Sequence, residues 1–86
     1  MEQTFVFIPK GVCSEKISIV YDGDIVKSVV FTRGCPGNTV GVGRLCQNRS
    51  FDELIPLLEG IPCRNKPTSC PDQLAQALKI IRDQKY

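Results

Sequence analysis

The dipeptide Asp22-Gly23 constrains this chain more than any other feature of its sequence. It lies between two β-branched and aromatic runs, Ile17 to Tyr21 and Val26 to Thr32. Asp-Gly between such runs is a strong short-range signal for a two-residue hairpin turn with positive φ. With Asp22 and Gly23 as the loop residues, Tyr21 faces Asp24 and paired positions sum to 45. That register sets Cys13 opposite Thr32, three residues before Cys35. At about 3.3 Å per residue, the two cysteines come within roughly 10 Å of each other. Thr4 to Ile8 has the same composition, so three antiparallel strands are expected in the first 33 residues.

The periodicity changes after Cys35. Pro36-Gly37-Asn38 reads as a turn, with Asn38 capping a helix through Val40 to Gln47. Ser50 and Glu53 have capping-box spacing ahead of Leu54, Ile55, Leu57 and Leu58. Pro56 removes the bond to the Asp52 carbonyl, which predicts a short or distorted helix ending at Gly60. Ile61 to Ser69 reads as a loop. A last helix is expected from near Cys70, with Pro71 at its first position and Asp72 in the positive first turn. It presents Leu74, Ala77, Leu78 and Ile81 at helical spacing. The expected architecture is a single α+β domain over residues 1–86, a three-stranded antiparallel sheet with about three helices packed on one face.

A domain of 86 residues buries only about 60 to 65 % of its unfolded surface, so a bound metal would supply stability that the core lacks. Eleven basic against nine acidic residues give +2, and the basic residues are scattered, which argues against nucleic-acid or membrane-surface binding. No apolar run reaches the roughly 18 residues of a membrane helix. Phe5-Val6-Phe7-Ile8 is too short for a signal-peptide core. A cytosolic protein is expected.

Five cysteines and no histidine direct attention to thiolate chemistry. An odd count in a reducing compartment argues against a disulfide framework, and the lack of histidine removes Ser–His and Cys–His catalysis. Cys35 and Cys70 each stand at an expected helix N-terminus, where orphan N–H groups favour a thiolate. Cys63 precedes Cys70 by seven positions in a proline-bounded loop, and the hairpin returns Cys13 to the same end of the sheet. Cys13, Cys35, Cys63 and Cys70 can therefore converge in a tetrahedral Cys₄ site for zinc or an iron–sulfur cluster. From spacing alone, that site stands level with a set of unrelated buried or reactive thiols, since no C-x-x-C pair is present. Cys46, in Gly-Arg-Leu-Cys-Gln, reads as a core residue. Gly41-Val42-Gly43 lacks the third glycine of a dinucleotide loop and reads first as a place of close backbone approach, with phosphate binding as the rival.

The run Thr68-Ser69-Cys70-Pro71-Asp72 spells the name of the TSCPD domain. Gly60-Ile61-Pro62-Cys63, Gln73 to Leu78 and Gly34-Cys35-Pro36-Gly37-Asn38 resemble that family too. The likeness covers almost the whole chain and is to the small stand-alone bacterial members with four characteristic cysteines, here Cys13, Cys35, Cys63 and Cys70. It implies an association with ribonucleotide reduction, because the same domain ends adenosylcobalamin-dependent ribonucleotide reductases. A ribonucleotide reductase or an iron–sulfur or redox protein is the partner so implied. Small members are commonly labelled ribonucleoside-diphosphate reductase. Eighty-six residues do not enclose a nucleotide, a radical-generating cofactor and catalytic thiols together, so a complete enzyme is not expected.

The order Cys13-Ser14-Glu15, hairpin, Cys35, helix, Cys70 is also similar, more distantly, to NifU/IscU-type iron–sulfur scaffold proteins. That likeness implies a NifU/IscU-like fold and a cluster-release role for Glu15. Ser69 replaces the scaffold's histidine and Cys63 adds a thiol, a change towards a closed, structural Cys₄ site. The rival reading is a redox protein in which Cys63 and Cys70 cycle between dithiol and disulfide.

Overall fold

The computed structural model describes residues 2–12, 14–33, 36–62 and 68–85, without the side chains of 36–39 and 85. Its strands are β1 (Glu2–Phe7), β2 (Lys16–Asp22), β3 (Ile25–Thr32) and β4 (Arg49–Ser50). Its helices are α1 (Pro36–Cys46), α2 (Phe51–Leu58) and α3 (Cys70–Lys85). The strands form one antiparallel sheet in the order β1-β2-β3-β4. The fold is α+β, with three helices among the described residues.

Two expectations about the sheet need correction. It has four strands among the described residues, not three. β4 is only two residues long, pairing Arg49 with Val26 and Ser50 with Ile25, and two residues carry no alternation to read in a sequence. Asn48, at φ 63°, makes the turn into β4 and donates its N–H to the Val26 carbonyl at 2.7 Å. The hairpin register also differs. Gly23 and Asp24 form the turn, Asp22 faces Ile25, and a bulge at Val20/Tyr21 shifts the ladder by one more residue. Beyond the bulge, pairs such as Ile17↔Phe31 and Lys16↔Thr32 sum to 48 rather than 45.

One face of the sheet forms the floor of the core. Ile17, Ile19, Val26 and Val29 meet Phe51, Leu54 and Ile55 of α2 and Leu74, Leu78 and Ile81 of α3. The Ser50–Glu53 capping box forms as expected, with Ser50 Oγ accepting the Glu53 N–H at 3.2 Å. Pro56 stays inside α2, which is eight residues long and ends before Gly60. Helix α1 begins at Pro36 rather than after an Asn38 cap. Proline suits a first helical position because its φ is preset and its missing N–H has no intrahelical partner there. α1 packs against β3, and Gly43 lies at their closest approach: a Cβ there would stand 2.7 Å from the Val29 carbonyl oxygen. Gly43 therefore serves close packing of helix on strand, whereas a Cβ on Gly41 would meet nothing within 4 Å, and both glycines lie within the helix.

Candidate functional site

Cys70 is the first residue of α3. Its helix is capped by Ser69, buried, whose Oγ accepts the Asp72 N–H at 3.2 Å and whose carbonyl accepts the Gln73 N–H at 2.8 Å. Ser69 thus has a capping role set by its own hydroxyl. Pro71 falls one position later than expected, still within the first turn, where its missing donor costs nothing.

The Cys70 sulfur meets the end of the β2–β3 hairpin. Ser14 Oγ lies 3.0 Å from Cys70 Sγ and donates to the Arg33 carbonyl at 3.3 Å. Ser14 is only 4 % exposed, so its hydroxyl has exchanged water for these two partners. Glu15 N–H bonds the Thr32 carbonyl at 2.8 Å, and the Glu15 carboxylate pairs with Arg33 at 3.3 Å across an exposed surface. Arg33 has φ 62°, the left-handed region that a β-strand residue leaves its ladder to adopt. Glu15 and Arg33 stand two residues after Cys13 and two before Cys35.

The segment on the other side of Cys70 is tied down by one carboxylate. Asp72 Oδ1 accepts the Gly60 N–H at 2.6 Å, and Asp72 Oδ2 accepts the Thr68 hydroxyl at 2.5 Å. Gln73 Nε2 completes the cluster on Thr68 Oγ1 at 2.8 Å. Gly60 and Thr68 flank the stretch that carries Cys63, so Asp72 fastens both described ends of it. Burial would raise the Asp72 pKa. The hydrogen bonds from Thr68, Gly60 and Gln76, with the charge of Lys79, outweigh it and hold the carboxyl below its ordinary value. The 10–12 segment lies against the same place: Lys10 N–H donates to Gln73 Oε1 at 3.3 Å, and a Cβ on Gly11 would stand 3.4 Å from the Thr68 methyl.

Of the residues singled out in the sequence, Cys70, Ser69 and Glu15 are placed at this end of the domain. Cys13, Cys35 and Cys63 lie outside the described residues. Among the described residues, no three His, Cys, Asp or Glu side chains form a metal-binding group. Ser14 and the Asp72 clamp escape a reading of the sequence. Asp72 reads there as a helix-dipole residue, and a serine beside a cysteine carries no signal of its contact with a residue 56 positions away.

Cys46 is a core residue, 1 % exposed, at the α1–α2 hollow with Val42, Leu54 and Leu58. Burial pushes its thiol up to about 11, against a smaller lowering by Arg49. It stays protonated at neutral pH. Iodoacetamide at pH 8 is expected to spare Cys46 in the native protein and modify it only after unfolding, which peptide mass mapping reads directly.

A profile of the TSCPD domain matches residues 2–82 of the 86-residue chain, and the chain belongs to that family. No curated protein and no solved structure matches. The NifU/IscU likeness accordingly rests on residue order alone. No helix among the described residues is long and apolar enough to cross a membrane.

Proposed function

We infer that this TSCPD protein is a metal-binding module that holds zinc or an iron–sulfur cluster through Cys13, Cys35, Cys63 and Cys70. The observation that carries the reading is the contact of Cys70 Sγ with Ser14 Oγ, whose hydroxyl also bonds Arg33. It brings the chain neighbours of Cys13 and Cys35 to the one ligand that the described residues include. The Asp72 clamp adds the ends of the Cys63 segment.

Four thiolates suit zinc and iron–sulfur clusters and leave no position open for a reacting ligand, so the site serves structure or electron storage rather than hydrolysis. The Glu15–Arg33 pair engages the carboxylate that the scaffold comparison gives to cluster release. Association with ribonucleotide reduction is what the family resemblance suggests, and it makes a reductase the partner to test. Thiol counting checks the reading: in metal-loaded protein all five thiols resist rapid alkylation, and a chelator exposes four while Cys46 stays protected. Free, rapidly reacting Cys63 and Cys70 that oxidise to one disulfide would overturn it in favour of a dithiol redox protein.

A further inference from the structure

β1 is the end strand of the sheet, and its outer edge meets no other described strand. Soluble proteins ordinarily blunt such an edge with lysine, proline, a bulge or a covering segment. Gln3-Thr4-Phe5-Val6-Phe7 has neither a charge nor a proline, and its register with β2 runs from Glu2↔Asp22 to Phe7↔Ile17 without a shift. On the sheet face away from the helices Val6 is 51 % exposed, and Ile8, just past the strand, is 63 % exposed. Val6 shares its row with Ser18 and the exposed Val30. Glu2 and Lys10 stand exposed near opposite ends of this strand and form no ion pair among the described residues.

We propose that β1 pairs antiparallel with β1 of a second copy of this chain, joining two four-stranded sheets into one of eight. The charges select the direction. A parallel pairing sets Glu2 beside Glu2, whereas the antiparallel one carries the acidic end of each strand to the basic end of the other. The pleat selects the register: side chains share a face, and outward amides meet, only where paired residue numbers add to an even value. A sum of ten places Phe5 against Phe5 of the second copy, Gln3 against Phe7, and Glu2 against Ile8, one diagonal step from Lys10. Lys16, at the start of β2 beside that end of β1, adds a second cation. A sum of eight leaves Glu2 against Val6, with no cation one step away; a sum of twelve sets Glu2 against Lys10 but carries Gln3 onto Pro9, beyond the end of β1 and without an N–H to give.

Sedimentation equilibrium of the full chain over a wide concentration range tests this. A reversible monomer–dimer equilibrium is expected. Glu2→Lys is expected to raise its dissociation constant about tenfold, and Glu2→Lys combined with Lys10→Glu to restore it. Amide exchange in β1 is expected to slow as the wild type is concentrated, and circular dichroism confirms that both variants fold. A chain that stays monomeric throughout would overturn the proposal and leave the edge for a strand of another protein. A dimer indifferent to the charge reversal, with β1 exchange independent of concentration, would overturn it as well.

Discussion

Asp72→Ala is expected to destabilise the protein by about 2–4 kcal/mol, the range for removing a buried ionised acceptor and stranding its donors. Asp72 is 8 % exposed, and its two oxygens take the Gly60 N–H and the Thr68 hydroxyl at once. Alanine leaves both donors without their acceptor. Asp72→Asn keeps one acceptor oxygen but turns an amide N–H₂ towards a donor, so it is expected to fall between wild type and alanine. Urea unfolding at pH 7 measures both.

The sign of the pH dependence follows from the lowered pKa. A carboxyl with a folded pKa below its unfolded value, about 3.9, contributes its full stability above that unfolded value. The contribution is lost as pH falls through the folded value. The gap between wild type and Asp72→Asn is therefore expected to be constant at neutral pH and to narrow below about pH 4. Under the proposed Cys₄ reading, the same substitution, by weakening the hydrogen bonds to Gly60 and Thr68, is expected to lower metal retention more than Gly43→Ala does.

Gly43→Ala is expected to destabilise by about 1–3 kcal/mol, against the sign that helix propensity predicts. Alanine in a helix interior is ordinarily better than glycine by up to about 1 kcal/mol. Here the added Cβ would lie 2.7 Å from the Val29 carbonyl oxygen, a backbone atom that moves only with β3. Overpacking costs of this kind run about 1–3 kcal/mol. Gly41→Ala is the control, because a Cβ there meets nothing within 4 Å. Thermal unfolding is expected to show a raised midpoint for Gly41→Ala and a lowered one for Gly43→Ala.

The sequence discloses what depends on local chemistry. The Ser50 cap follows from hydroxyl and carboxylate spacing, the apolar face of α3 from its period, and the presence of a hairpin from Asp22-Gly23. Its register does not follow, because neither the bulge at Val20/Tyr21 nor the placing of Gly23 and Asp24, rather than Asp22 and Gly23, in the turn has a residue signal of its own. β4 stays hidden because its only signal is its partner strand. At the site, convergence of the hairpin end with Cys70 could be argued from chain reversal. The contacts that produce it could not: Ser14 meets Cys70 across 56 positions, and Asp72 reaches back twelve residues to Gly60. Long-range hydrogen bonds leave no period in a sequence.

The central claim is tested most directly by anaerobic purification of the untagged protein, with elemental analysis and a visible spectrum, beside Cys13→Ser and Cys70→Ser. The account predicts near-stoichiometric metal in the wild type, either colourless zinc or iron with charge-transfer bands, and its loss in both variants. Metal-free wild type with Cys13, Cys35, Cys63 and Cys70 all open to rapid labelling would contradict it.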